Sequence, residues 1–386
     1  MKRASGSKRT LVKPRSRTAP PTLTLRDRNR ATLARQMLLA REKASVTDVL
    51  TRLAGLQAQW PAPPYTGLWT RLAKFARADL AVPLARHELV RATAMRGTLH
   101  VMTADDYAGF RPLLEPMLQR GYASIASTRG RGIDPVALAA EARVLLADGP
   151  RTMEEIRQHL ARQHPKLDAR IMGYAVRMYL PLVQVPDDSC TWGFPQEPAF
   201  ALAETWLGRT SFTTGLDAPA LVRRYLAAFG PAAARDVQTW AGVRGLGEAL
   251  ETLRPELRVF TDEDGRELFD RPDAPRPGGD ATAPVRFLPE FDNLLLAHHD
   301  RTRFVPTAFR AGVFKAGLQV AATFLVDGFV RGAWKLERKK NAATLVLMPF
   351  ATLTKADRAA LEEEGAKLAR FLAPDASAPT IRWEKS

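Results

Sequence analysis

The chain has 386 residues, of which 46% are hydrophobic and 25% charged, and a formal net charge of +16. That is length enough for several packed units and the composition of an ordinary soluble globular protein. Nothing in it approaches the run of about 20 apolar residues that crosses a bilayer, and the single cysteine, Cys190, excludes an intrachain disulfide and a cysteine-cluster metal site.

Residues 1–21 are rich in Lys, Arg, Ser and Pro and lack the apolar centre of a secretory signal. They read as a disordered basic tail in a protein of the reducing cytoplasm. Lys2, Arg3, Lys8, Arg9, Lys13, Arg15 and Arg17 give the tail +7, so the remainder still carries +9. An excess spread over the folded part points to a polyanion, most economically nucleic acid, and hence to the nucleoid. The plainer alternative is a basic proteome with no such partner.

Three segments then show one order of elements. In residues 22–132 the spacing predicts a helix over Leu25–Arg41 and a second one capped by Thr47 and ending near Leu56. A further helix is expected over Tyr65–Phe75, followed by a strand-like wing at Arg96–Met102 and helices from Thr103 and Leu114. In residues 133–212, Thr152-Met-Glu-Glu155 is a capping box opening a helix to Gln163. Asp168 caps a helix that carries Arg170 and Arg177, and Leu182–Val185 with Cys190–Phe194 makes a hairpin. Residues 213–275 give a helix from Asp217 to Phe229, another opened by Pro231, and a short one near Gly247. A hairpin follows around Asp262-Glu-Asp-Gly265. Helix, turn, helix, hairpin is the order of a winged helix, so the fold class is α+β: tandem winged-helix units. Residues 282–386 complete it as a β-rich domain with strands about Asp327-Gly328, an apolar strand to Pro349, a helix over Thr354–Phe371 with Glu362, Glu363 and Glu364 exposed, and a final strand at Thr380–Trp383.

Two constellations carry chemistry. Gln57-Ala-Gln59 lies before Trp60-Pro61, where a helix should fray, so both amides can turn into one cleft. An amide donates and accepts at once, so a pair can orient a water without bearing charge. Trp60, Tyr65 and Trp69 crowd the same stretch and offer ring faces for stacking, although aromatics at such spacing also build cores. The second constellation is Leu288-Pro-Glu-Phe-Asp-Asn-Leu-Leu-Leu-Ala-His298-His299-Asp-Arg301-Thr-Arg303. Adjacent histidines diverge and no further pair has ligand spacing, which argues against zinc. With Arg301 and Arg303 they fit phosphate contact or a capped polar turn. No phosphate loop, nucleophile elbow or His-Glu-x-x-His motif occurs. Gly242-Val-Arg-Gly-Leu-Gly247 follows a helix rather than a strand, so it is no dinucleotide fingerprint.

Together these residues resemble the winged-helix DNA glycosylases of the AlkZ/YcaQ type, which remove alkylated and crosslinked purines. The resemblance runs over residues 22–386 and rests on Gly55-Leu-Gln57-Ala-Gln59, Arg96-Gly-Thr-Leu-His100 and Phe291-Asp-Asn-Leu-Leu-Leu-Ala-His-His-Asp-Arg301. It implies a Gln-apolar-Gln active site at Gln57 and Gln59, where another branch has Gln-apolar-Asp. It also implies a C-shaped basic channel of three winged helices around duplex DNA, with an Asn293–Arg303 hairpin that approaches the lesion. On this basis Trp60, Arg96, His100, Arg170, Arg177, His298, His299, Arg301 and Arg303 are expected to meet the duplex. The expected protein is a monomeric, monofunctional glycosylase for cationic N-alkylpurines that needs neither cofactor nor metal. Its rival is a non-catalytic winged-helix regulator, which should dimerise and prefer a sequence.

Overall fold

A computed structural model describes residues 19–209 and 215–384; most of the expected tail lies outside them. The fold is α+β with four sheets. The largest is antiparallel and six-stranded, in the order Leu56–Gln57, Leu99–Thr103, Leu89–Thr93, Leu182–Gln184, Ala199–Leu202 and Arg151–Thr152. It joins the first two segments into one surface, because Arg91 pairs with Gln184 and Ala92 with Val183. The third segment supplies a hairpin of Arg258–Asp262 and Glu267–Asp270, to which Thr22–Leu23 adds in parallel. The last domain is a five-stranded sheet of Arg286–Leu288, Thr323–Val326, Phe329–Lys339, Ala342–Pro349 and Thr380–Trp383.

Local chemistry set most of these boundaries. Thr152 and Glu155 close a capping box on Met153–Gln163, and Thr354 and Asp357 do the same on Lys355–Leu372. Asp168 accepts from the amides of Arg170 and Ile171 and opens Ala169–Tyr179. Asp327 and Gly328, at φ 48° and 77°, make the tight turn their residue types demand.

Several expectations are corrected. The first helix stops at Arg35, not Arg41, because Met37 turns to φ 56° and Leu38 N–H bonds back to Leu33 O. Ser45, not Thr47, caps the second, its Oγ accepting from Asp48 N at 3.0 Å. Pro63 and Pro64 begin the third helix, which spans Pro63–Trp69 rather than Tyr65–Phe75. One helix, Ala104–Arg129, replaces the two expected from Thr103 and Leu114. Cys190–Phe194 is not a strand: Asp187 Oδ1 accepts from Ser189 and starts a run of turns, and Leu182–Gln184 pairs instead with Ala199–Leu202. The helix expected from Pro231 begins at Ala234, where the Asp236 carboxylate accepts from Ala233 N. Glu364 is buried, paired with Arg41 at 2.6 Å.

The first helix, Leu25–Arg35, ties the parts together through polar contacts. Arg35 makes a two-pronged bond to Asp270, at 2.7 Å on each arm, and Arg28 reaches Asp262. Arg26 and Arg30 converge on Asp327, and Asn29 donates to the carbonyls of Arg303 and Gly328. Its buried face is therefore as polar as its exposed one.

Candidate active site around Gln57

The helix Val46–Leu53 ends in Ala54 and Gly55, both at positive φ. At Gly55, φ is 88°, and an added Cβ would lie 3.0 Å from Val101 O and 3.1 Å from Met102 Cβ. Only glycine fits that turn. Its sharpness throws the following residues into an extended path, so Gln57 lies on the short strand Leu56–Gln57 rather than at a fraying helix end. Gln57 pairs with His100, and Ala58 N–H continues the ladder to Leu99 O at 2.7 Å. Gln57 thus leaves the helix on a strand and Gln59 lies in the bend that follows, so neither is bound to the helical spacing that would set the two amides apart.

Both glutamines are gripped by arginine. Arg91 Nε donates to Ala58 O at 3.0 Å and its Nη2 to Gln59 O at 3.2 Å. Arg96 Nη2 donates to Gln57 Oε1 at 2.8 Å while Nη1 donates to Trp240 O. Asn293 completes the hold from the far end of the chain: its Oδ1 accepts from Gln57 N at 3.2 Å and its Nδ2 donates to Gly55 O at 2.7 Å. Asn293 is itself set by Asp292, whose carboxylate makes two 2.9 Å bonds to a fully buried Arg71. Gln57 is buried, Gln59 is half-buried, and the next residue, Trp60, is 51% exposed. Tyr65 is buried, with Trp192 against its ring, and Trp69 stacks on Phe371, so neither is a platform for a base in this arrangement.

The backbone is strained on either side of Gln57. Arg96, at φ 57°, turns the corner between Leu89–Thr93 and Leu99–Thr103, and Phe291, at φ 59°, precedes Asp292 and Asn293. Such conformations cost of order 1–3 kcal/mol each and persist where surroundings impose them. Gly242 is one such constraint, since a Cβ there would meet Arg96 Cα at 3.2 Å. The glycine-rich stretch discounted as a fingerprint is thus a packing surface for Arg96.

The electrostatics are one-sided. Arg91, Arg96 and Arg177 donate to carbonyl, amide or hydroxyl oxygens rather than to carboxylates. Burial, reinforced by the Arg301 guanidinium, pushes Arg96 down to about 10. Burial and the nearby Arg177 push Arg91 down to about 10, still charged at neutral pH. His100, opposite Gln57 on the neighbouring strand, is driven to about 3 by burial and by Arg96. It is a neutral ring: Nδ1–H donates to Thr98 O at 3.0 Å and Nε2 is left an acceptor. Arg301 stands over the Phe314 ring at 4.2 Å, at the base of a small hairpin formed by Phe314–Lys315 and Gln319–Val320. At its tip Leu318, at φ 59°, is 92% exposed.

The family model "DNA glycosylase AlkZ-like" matches residues 50–371. The chain belongs to the AlkZ-like DNA glycosylase family. It is 26% identical over 380 residues to an interstrand DNA cross-link repair glycosylase of Streptomyces sahachiroi, covering 88% of this chain and 94% of that one. The solved structure of the Streptomyces sahachiroi DNA glycosylase AlkZ superimposes with a TM-score of 0.77 at 22% identity, over 94% of this chain and 100% of the other. At that identity the likeness establishes the fold.

Within this member of the family the expected contact residues separate. Arg96, His100 and Arg301 gather about Gln57, and Arg177 reaches the same sheet through Thr93. Arg170 is exposed on the face of its helix, and His299 is exposed with its amide bonded to Asp236. Three of the expected contact residues do not face solvent: His100 is 0% exposed in the sheet beside Gln57, and His298 and Arg303 are buried in the loop. His298 is 2% exposed, bonded to Phe229 O and packed on Tyr225, Phe229 and Phe304. Arg303 is 3% exposed and donates to Pro231 O at 2.8 Å. Both hold the loop that carries Asn293. That loop is a helical turn, Asn293–Leu296, and a second turn, Arg301–Arg303, rather than a β-hairpin. The exposed hairpin lies farther on and was missed, because two-residue strands joined by Ala-Gly-Leu carry no periodicity. Among the described residues no group of three or more metal-type side chains converges, and no helix is long and apolar enough to cross a membrane.

Proposed function

We propose that this protein is a monofunctional DNA glycosylase that hydrolyses the N-glycosidic bond of cationic N-alkylpurines in duplex DNA, with Gln57 and Gln59 as its catalytic residues. The observation that carries this reading is the pair of neutral amides set among guanidiniums that have no carboxylate partner among the described residues. Alkylation on a purine ring nitrogen makes the base a good leaving group. When its C1′–N9 bond breaks, the electron pair neutralises the ring; water oxygen bonds to C1′, and its proton passes to solvent. The sugar becomes oxocarbenium-like on the way, as in glycoside hydrolysis. Such a substrate needs water placed and a base oriented, which amides can do. The motif offers no lysine to form a Schiff base, so the strand should stay intact.

In this reading the three helical segments act as tandem winged helices around a duplex, and the protein works as a monomer without a cofactor. Arg170, Arg177 and His299 face phosphates, Arg96 and Arg301 lie beside the lesion, His100 supports Gln57 from the neighbouring strand, and Trp60 supplies a stacking face. Leu318 is an apolar wedge on a hairpin that also carries Lys315, the kind of tip that unstacks a base step. The Streptomyces sahachiroi relative is an interstrand DNA cross-link repair glycosylase, which extends the substrates to test beyond simple methyl adducts.

The test is release of free base from 7-methylguanine duplex, with mustard-treated and cross-linked duplex alongside. Gln57→Ala and Gln59→Ala should each slow release by about tenfold to a thousandfold, or ~1.4–4 kcal/mol of barrier, with DNA affinity unchanged. The double variant should be scarcely slower than the poorer single one, because groups acting as a unit are not additive. A wild-type protein that releases no base from any of these, yet prefers one DNA sequence, would be a regulator.

A further inference from the structure

Gln57 and Gln59 carry the same side chain but are held in opposite ways. A guanidinium has only N–H groups and accepts no hydrogen bond, so the Gln57 atom 2.8 Å from Arg96 Nη2 is its amide oxygen. Arg96 has little freedom to release it. Its other arm is bonded to Trp240 O, its backbone is fixed at φ 57°, and Gly242 is packed against its Cα. The Gln57 main chain is equally fixed, by the ladder to His100 and the bond to Asn293. One lone pair of the oxygen is taken by Arg96 and the amide is held in that orientation, so the part of Gln57 left without a partner is chiefly its NH2 group: it is best placed as a donor. Gln59 is held through its main-chain carbonyl alone. Its half-buried amide makes no hydrogen bond with the described residues and is free to turn its oxygen outward.

The reaction needs these two polarities at different atoms. As the C1′–N9 bond breaks, electron density rises on the leaving purine, and a fixed donor there stabilises the transition state. The attacking water loses a proton, so it needs an acceptor; a donor on its oxygen would lower its nucleophilicity. Building on the glycosylase reading, we propose that Arg96 is a positioning residue that locks Gln57 as the hydrogen-bond donor to the departing purine, while Gln59 presents its carbonyl oxygen to the attacking water. The water's proton then leaves to solvent past Gln59, and the purine departs neutral.

Charge substitutions of nearly the same shape separate the roles. Gln57→Glu replaces the donor by a carboxylate that pairs with Arg96. It should melt no lower than wild type, bind duplex DNA, and lose 7-methylguanine release by about a hundredfold or more, with no recovery across neutral and alkaline pH. Gln59→Glu keeps an acceptor at the water. It should slow release by only about tenfold and acquire a new acid limb in the rate profile as the carboxylate is protonated. Arg96→Met should lower the single-turnover rate by about a hundredfold with little change in DNA affinity, and Arg96→Lys, which retains one donor, should recover about tenfold of that. If Arg96→Met proves unstable, the contrast between the two glutamate variants decides alone. Equal losses in both, or a Gln57→Glu variant more active than Gln59→Glu, would overturn the division of roles while leaving a glycosylase. A wild-type protein that releases no base overturns the glycosylase reading and this assignment with it.

Discussion

Asp292→Asn should destabilise the protein out of proportion to the single atom it changes. Asp292 and Arg71 are both fully buried, and the carboxylate accepts two 2.9 Å bonds from the guanidinium and a third, at 3.0 Å, from Leu294 N. Asn keeps one acceptor oxygen but turns an NH2 donor towards Arg71 in place of the other, and the remaining partners, Gly67 O at 2.9 Å and Gln36 Oε1 at 3.2 Å, carry no charge. Removing one partner of a buried pair leaves an uncompensated charge and costs about 3–5 kcal/mol. At roughly 2 °C per kcal/mol for a large chain, the melting temperature should fall by about 6–10 °C. Arg71→Met with Asp292→Leu removes both charges, so the double variant should be more stable than the sum of the singles by at least ~2 kcal/mol. Denaturant unfolding of the four proteins measures this cycle. The reasoning fails if Asp292→Asn costs under ~1 kcal/mol, for the pair would then be hydrated and not the clamp that holds Asn293 against Gln57.

His100 and His298 are each held near 3, by burial together with Arg96 and Arg303 respectively, whereas in the unfolded chain both titrate near 6.5. The unfolded state therefore binds more protons between those values. Stability should be fully present above pH ~6.5 and fall as pH drops below it, by up to about 1.4 kcal/mol per pH unit for each ring. Melts from pH 7.5 to about pH 4 check it, and His298→Phe should flatten the slope. Leu318→Ser should leave the melting temperature unchanged, since the side chain is 92% exposed. It should slow base release from duplex by about tenfold while sparing the same lesion in a single strand.

Much of this architecture was legible wherever a local rule suffices. The capping box at Thr152, the cap at Asp168, the turn after Asp262 and the Asp327-Gly328 turn each fix their element with residues a few positions apart. The first helix shows the opposite case. Arg28, Asn29, Arg30 and Arg35 look like a solvated face, yet all are buried. Their partners Asp262, Asp270 and Asp327 lie more than 230 residues away. No periodicity encodes such pairs. His298 and Arg303 misled for the same reason, and Glu364 pairs inward with Arg41. The Gln57-Ala-Gln59 motif was legible as a motif but not as geometry. Ala54 and Gly55 take positive φ and convert the expected helix end into a strand and bend, which frees positions 57 and 59 from helical spacing.

The arrangement about Gln57 draws on residues far apart in sequence, so it should be sensitive to packing that touches neither glutamine. Gly242→Ala is the sharpest case. Gly242 caps the helix Ala234–Ala241 in the left-handed region, at φ 73°, where a side chain costs about 1–2 kcal/mol. The new Cβ would also lie 3.2 Å from Arg96 Cα and 3.3 Å from Arg96 N, both backbone atoms with little room to retreat. Arg96 would have to shift, and with it the guanidinium that now donates to Gln57 Oε1 and Trp240 O. A misplacement of about 1 Å at a positioned group costs about a hundredfold in rate, so a shift of a few tenths of an ångström should cost about tenfold or less. Gly242→Ala should accordingly lose about 1–2 kcal/mol of stability, but far more in base release than that loss explains at a temperature where the variant remains folded. Release that stays at the wild-type rate in the folded variant would mean that Arg96 does not need its present aim, and that the strained turn serves packing alone.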